Sequence, residues 1–151
     1  MGKRIDYGRT SPEGVLALCN VDAYLSQCEL DEKLIDLVYL RVSQINGCAY
    51  CTDLHTRMLT KQGVPANKLA MVQVWAFTES IFSLKERAAL AWAEYVTLIP
   101  HMTCAPDTVK YFTDKELFDL TLAISLMNAY NCLAVSLRNP PHAEAECEME
   151  C

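Results

Sequence analysis

Two cysteines and a histidine stand close together in the first half of the chain, at Cys48, Cys51 and His55. Their spacing, C-x-x-C-x-x-x-H, gives positions i, i+3 and i+7 if the segment is helical. At about 100° per residue they then lie within roughly 60° of one another on one helix face. The two sulfurs can meet across one turn, and the imidazole can reach the nearer sulfur. The pattern therefore predicts a dithiol with a base beside it, which suits thiol redox chemistry.

The residue before the first cysteine supports this interpretation. Gly47 lets the backbone turn into the helix, which would place Cys48 at the helix N-terminus. The partial positive charge of a helix N-terminus favours a thiolate over a thiol. The sequence therefore predicts a lowered thiol pKa at Cys48.

The elements that must position this motif are all predicted to be helices. Segments with apolar residues at helical spacing follow one another, and no pair of alternating strands is joined by a hairpin turn. Ser-x-x-Glu and Thr-x-x-Glu capping boxes begin two of the helices. The predicted helix starts are Ser11, Asp31, Cys48, Pro65, Ser83 and Thr113, with a short turn after Pro106. The predicted class is all-α, with six to seven helices.

The composition predicts one folded domain. Of the 151 residues, 52% are hydrophobic and 21% charged, which allows a sizeable core and argues against disorder. We expect a single helical domain over residues 1–138, with its core over 30–138. Residues 1–10 are expected to form a loose arm, and residues 139–151 a flexible acidic tail.

Charge and targeting signals limit the possible partners and location. The net charge of −6 comes without the basic stripe of a nucleic-acid-binding surface, and it disfavours anionic lipid. The N-terminus lacks the apolar run of a signal peptide, and no apolar stretch is expected to approach the 18 or so residues that span a bilayer. We therefore expect a cytoplasmic protein without nucleic-acid or membrane partners. In that setting C-x-x-C favours redox or metal chemistry.

The segment Leu40–Arg57, LRVSQINGCAYCTDLHTR, resembles the core of the alkylhydroperoxidase D-like branch of the carboxymuconolactone decarboxylase family. Trp75–Trp92 and Thr113–Asn131 are similar to later family segments, in the same order. The resemblance implies an all-α fold and a homo-oligomer, such as a dimer, trimer or hexamer. It also implies a thiol-dependent peroxidase that reduces alkyl hydroperoxides without a cofactor. A dithiol protein or small thiol would then reduce the redox-active Cys48–Cys51 disulfide back to two thiols.

The resemblance also implies a proton relay that links an acidic residue, the histidine and both cysteines. The acidic residue lies twelve positions before the first cysteine, which is Asp36 here. The family pattern usually has Glu at this position. Asp keeps the charge but is one methylene shorter, which leaves room for a bridging water between Asp36 and His55.

Two further residues are candidates for substrate binding. Tyr50 stands where the peroxidase archetype has a second histidine, and its hydroxyl or that of Ser43 could donate to a peroxide or thiolate oxygen.

Spacing alone does not decide which sulfur attacks. Proximity to His55 favours Cys51 as the nucleophile toward peroxide. A place nearer the helix start, with greater expected exposure, favours Cys48 as the resolving thiol that meets the reductant.

Two other function classes remain open. One is a lactone enzyme like the family's namesake decarboxylase, whose chemistry needs no dithiol. The other is a redox-sensing or metal-binding oligomeric module, because Cys48, Cys51 and His55 supply three of the four N/S ligands of a structural zinc. Our expectation is that the site holds no metal.

Overall fold

The computed structural model describes residues 4–141, and within this range the chain forms seven α-helices and no strand. The helices are α1 Tyr7–Thr10, α2 Pro12–Leu25, α3 Glu32–Ile45, α4 Ala49–Lys61, α5 Ala66–Met71, α6 Leu84–Thr97 and α7 Asp114–Ser136. Three 3-10 helices connect them, at Val72–Phe77, Ile99–His101 and Val109–Tyr111. The predicted all-α class is confirmed. From residue 142 on, the predicted acidic tail lies outside the described residues.

Asp31, Ser83 and Thr113 cap their helices as predicted. Ser11, predicted to cap α2, makes no side-chain capping hydrogen bond. The Asp31 side chain accepts hydrogen bonds from the backbone N–H groups of Lys33 at 2.8 Å and Leu34 at 3.3 Å, and so starts α3. Both capping boxes are formed, at Ser83 for α6 and at Thr113 for α7. Each cap depends only on residues within one turn, so a local pattern predicts it.

Helix α3 is the central helix of the bundle and packs against α4, α6 and α7. Residues 34–40 are buried without exception. Most of them are apolar, because neighbouring helices cover α3 on several sides. Asp36, in the middle of this run, is therefore carried into the core and not onto a solvated face.

Helix α7 is long and apolar enough, by length and composition, to cross a membrane, so the expectation that no stretch would be was wrong. In the fold this helix packs against α2, α3 and α6, and Leu120, Ala123 and Ile124 are fully buried. Its apolar composition is therefore that of a core helix.

The expected loose arm is wrong for residues 4–10. Helix α1 lies within this segment, and the Arg4 N–H donates to the Leu137 carbonyl at 2.9 Å. The Asn139 amide donates to the Tyr7 hydroxyl at 3.1 Å. These two bonds fasten the N-terminal turn to the end of α7.

A left-handed residue joins the two helices that carry the motif. Gly47, between α3 and α4, has a φ of +66°, and a Cβ at this position would meet nothing within 4 Å. Only glycine takes this conformation freely, so the junction depends on backbone freedom and not on space.

We predict that Gly47→Ala lowers the free energy of unfolding by about 1–2 kcal/mol, the usual penalty for an L-residue in this conformation. Denaturant unfolding measures it. Gly8→Ala is the matched control, because Gly8 has no positive φ and its added Cβ would make only an ordinary contact, 3.6 Å from an Asp6 carboxylate oxygen. Equal stability in the two variants would contradict the prediction.

Candidate active site

A carboxylate and an imidazole meet directly inside the bundle. Asp36 on α3 is 4% exposed and His55 on α4 is 5% exposed. Asp36 Oδ1 lies 3.1 Å from His55 Nδ1, so no water bridges them and the expected gap is absent. A carboxylate only accepts, so Nδ1 carries the hydrogen and Nε2 is left as the basic nitrogen. The second carboxylate oxygen accepts from Gln62 Nε2 at 2.7 Å.

The two cysteines at the start of α4 have opposite pKa shifts. Cys48 is the N-cap, and its sulfur accepts from the Cys51 backbone N–H at 3.2 Å. Hydrogen bonding from the Cys51 thiol, and then from backbone N–H groups and the Asn131 amide, lowers the Cys48 pKa to about 7 against the opposing effect of burial. The Cys51 pKa is raised, first by that same thiol–thiol bond, then by burial and the Cys48 charge. The charge of the pair therefore rests on Cys48 and the proton on Cys51.

Access to the two sulfurs differs from the expectation. Cys48 is 1% exposed and Cys51 is 4% exposed, so the expected greater exposure of Cys48 was wrong. The N-cap position turns the Cys48 sulfur back over its own helix, whereas Cys51 lines a cavity. A molecule in that cavity would meet Cys51.

The cavity has a volume of about 470 Å³ and lies between helices α2, α3, α4 and α7. Much of its wall is apolar, with Leu25, Leu30, Ile35, Leu54 and Met127 among the lining residues. Asp36, His55 and Cys51 stand in the same wall. This is an ordinary size and character for a small-molecule site.

The two predicted substrate-binding residues lie in different places relative to the cavity. Tyr50 lines the cavity and is buried. Ser43 is fully buried outside the lining, where its hydroxyl donates to the Tyr39 carbonyl at 2.7 Å and accepts from Asn131 Nδ2 at 3.1 Å. The structure therefore brings Tyr50, but not Ser43, to the cavity.

Sequence reasoning missed Asn131, which is 1% exposed. Its amide donates to Ser43 Oγ at 3.1 Å and to Met127 Sδ at 3.4 Å, and it acts to lower the pKa of both thiols. The signal was available, since Asn131 lies one turn after Met127 on the inner face of α7. No role was predicted for Asn131 from the sequence, and the neighbouring Cys132 is exposed.

Tyr7 was also missed. It lines the cavity, and burial, followed by the nearby Cys51 and Cys48 charges, raises its pKa. Its helix α1 is a single turn, too short to show an apolar period, so no pattern pointed to Tyr7.

Among the described residues, no three His, Cys, Asp or Glu side chains form a group able to hold a metal ion. Of the two ring nitrogens of His55, Nδ1 is already bonded to Asp36.

We predict that Cys51→Ala raises the Cys48 pKa above its value of about 7, because the variant loses the thiol that donates to the Cys48 sulfur. Cys51→Ser retains an O–H donor and should shift it less. Thiolate absorbance against pH, referenced to Cys48→Ser, measures the midpoint. A midpoint unchanged in Cys51→Ala would show that the Cys51 thiol does not stabilise the Cys48 thiolate.

The sequence model of the carboxymuconolactone decarboxylase family matches residues 10–95, more than half of the chain. The uncharacterized protein YdfG of Bacillus subtilis (strain 168) is 30% identical over 144 residues, which cover 92% of this chain and 97% of YdfG.

The fold has counterparts among solved structures. ATU0492 of Agrobacterium tumefaciens, a protein of unknown function whose description suggests an antioxidant defence protein AhpD, superposes with a TM-score of 0.88 at 34% identity. The match covers 95% of this chain and 100% of that one. The debrominase Bmp8 shares the fold alone, with a TM-score of 0.78 at 18% identity, over 89% of this chain and 74% of Bmp8. The same fold therefore also occurs in a protein named as a debrominase. The family match and the likeness to ATU0492 show that this chain belongs to the carboxymuconolactone decarboxylase family, in its alkylhydroperoxidase D-like branch.

Proposed function

We propose that this protein is a thiol-dependent, peroxiredoxin-like peroxidase, an antioxidant oxidoreductase that reduces alkyl hydroperoxides to alcohols. One observation carries the proposal. The cavity-lining Cys51 is hydrogen-bonded to a low-pKa Cys48 in a wall that also holds the buried Asp36–His55 pair. A nucleophile, a resolving thiol and an oriented base therefore meet at one site large enough for an organic molecule.

The first step is attack by Cys51 on the distal peroxide oxygen. His55 Nε2 takes the Cys51 proton as the sulfur attacks, a sulfur–oxygen bond forms, and the oxygen–oxygen bond breaks. Cys51 becomes a sulfenic acid, and His55 returns the proton to the leaving alkoxide, which departs as the alcohol. Asp36 holds the imidazole orientation and stabilises its transient positive charge.

The second step uses the charge already on Cys48. Its thiolate attacks the Cys51 sulfur and releases hydroxide, and a disulfide forms. Overall a thiolate, a thiol and a hydroperoxide give a disulfide, an alcohol and hydroxide, so atoms and charge balance. An external dithiol, from a protein or a small thiol, then reduces the disulfide, and no cofactor takes part.

The proposal includes a reducing cytoplasmic setting, where such a dithiol is present, and a homo-oligomer. Large apolar side chains at the surface support self-association, with Phe77 89%, Leu84 67% and Phe118 62% exposed. Analytical ultracentrifugation of the full chain tests the homo-oligomer, and a monomer at all concentrations would contradict it.

We predict that Cys51→Ser abolishes cumene hydroperoxide consumption, because the variant lacks the attacking sulfur. Cys48→Ser should complete the first step only and leave a sulfenic acid on Cys51. Dimedone labelling with peptide mass analysis detects that acid. Cys104→Ser is the control, because Cys104 is exposed and lies outside the cavity lining.

Peroxide turnover that survives in Cys51→Ser would overturn the assignment. Unchanged lactone turnover in the Cys48/Cys51 double variant would instead favour the namesake decarboxylase chemistry, which needs neither thiol.

We also predict that Asp36→Asn lowers kcat/KM for the hydroperoxide about 10²–10⁴-fold. An amide can present N–H to His55 Nδ1 and so favour the tautomer in which Nε2 is no longer a base. Asp53→Asn is the matched control on α4, because Asp53 pairs with Arg57 and lies outside the cavity lining. Steady-state kinetics compare the variants, and equal losses in both would remove the special role of Asp36.

A further inference from the structure

The cavity holds a second polar feature that the peroxidase cycle does not use. Tyr39 on α3 and Asp22 on α2 both line it. They reach the cavity from different helices, and neither belongs to the pattern of cysteines, histidine and Asp36. The question is which chemical group they would bind.

The Tyr39 hydroxyl is a buried donor that is poorly satisfied within the protein. Tyr39 is 5% exposed, and its Oη makes no hydrogen bond of good geometry within the described residues, only a weak interaction with the Asp22 carboxylate. The ring is fixed against the His55 ring, with centroids 5.1 Å apart in an edge-to-face contact at 62°. Burial and then the Asp22 and Asp36 charges raise the Tyr39 pKa, so the hydroxyl keeps its proton. A buried O–H with so weak a partner is uncommon and would be better satisfied by an oxygen atom of a ligand.

Asp22 supplies the complementary acceptor. Its carboxylate lies close enough to Tyr39 Oη for that hydroxyl to lower the Asp22 pKa, although the pair falls outside hydrogen-bond geometry. Burial, the largest effect, raises the Asp22 pKa, and the nearby His55 charge opposes this rise. A donor and an acceptor therefore lie next to one another in a mainly apolar wall, without a well-formed hydrogen bond between them.

We propose that this pair, here called the Tyr39–Asp22 clamp, binds the O–H head group of an apolar organic ligand. The ligand oxygen accepts from Tyr39 Oη, and the ligand hydrogen is donated to the Asp22 carboxylate. The apolar body fills the remainder of the 470 Å³ cavity against Leu25, Ile35 and Leu54. In taking this ligand as a hydroperoxide before turnover and its alcohol afterwards, the inference rests on the proposed function.

This assignment predicts selectivity. Hydrogen peroxide offers an O–H group but no apolar body, so it gains little from the cavity wall. An aryl or branched alkyl hydroperoxide uses both the clamp and the wall. The substrate class that fits is therefore a compact apolar hydroperoxide, such as cumene hydroperoxide.

The test compares two ligands of the same shape, 2-phenyl-2-propanol and tert-butylbenzene, in which a methyl group replaces the hydroxyl. Neither ligand is turned over, so the test does not require peroxidase activity. Ligand-observed NMR titrations of the full chain give each Kd. We expect Tyr39→Phe to raise the Kd of the alcohol about 3–10-fold, the usual effect of one lost hydrogen bond, and to leave that of the hydrocarbon unchanged.

Asp22→Ala should weaken the alcohol in the same selective way. Tyr24→Phe is the matched control, because the Tyr24 hydroxyl is bonded to Asp119 and lies outside the cavity lining. An equal loss for both ligands in Tyr39→Phe would show only a packing role, and no loss for either would remove the clamp. Failure of the unaltered chain to bind either ligand would also overturn the proposal.

Kinetic measurements distinguish a failure of the Tyr39–Asp22 clamp from a failure of the proposed peroxidase function. If Tyr39→Phe leaves cumene hydroperoxide turnover unchanged, the clamp is contradicted and the proposed peroxidase function stands. Selective alcohol binding in a protein that consumes no hydroperoxide supports the clamp and sinks the peroxidase.

Discussion

A buried carboxylate is tolerated in this core because both of its oxygens are hydrogen-bonded. Asp36 accepts from His55 Nδ1 on one side and from Gln62 Nε2 on the other. An unpaired carboxylate at this depth would be strongly unfavourable, so the pairing constrains how α3 and α4 can pack. Any slip between these helices would separate Asp36 from its partners. The chemistry of the site and the packing of its two central helices are therefore one constraint.

A network of hydrogen-bonded side-chain amides lies next to the two thiols. Asn46, which ends α3, donates to Asn128 at 2.8 Å and to Asn131 at 3.0 Å, both on α7. Asn128 in turn donates to Thr97 at the end of α6, at 3.2 Å. Three helices are thereby fixed around the start of α4. This network fixes the position of the Asn131 amide, which acts to lower the pKa of both thiols.

The parts that the sequence predicted are those that depend on neighbours along the chain. The cap at Asp31, the two capping boxes and the turn at Gly47 each involve residues within a few positions of one another. The gathering of Asp36 with the motif was implied by the family resemblance and is seen in the fold.

The residues that were missed reach the site through long-range packing. Tyr7 arrives because the N-terminal turn is bonded to the end of α7, and Asp22 because α2 lies across the cavity. Helix α1 is too short to show an apolar period, and the mainly apolar sequence of α2 does not mark which of its faces meets the cavity. The expected exposure of Cys48 failed for the same reason, because a helix start is exposed only where no neighbouring helix covers it.

The opposite pKa shifts of the two cysteines would also govern how the proposed Cys48–Cys51 disulfide responds to acidity. Below the Cys48 pKa of about 7, reduction takes up two electrons and two protons. Above it, the raised Cys51 pKa still keeps one thiol protonated, so two electrons are accompanied by one proton. Each accompanying proton changes a two-electron midpoint potential by about 30 mV per pH unit, so the slope falls from about 59 to about 30 mV near neutrality. The opposite pKa shifts of the two thiols thus place a bend in the redox titration of the pair near pH 7.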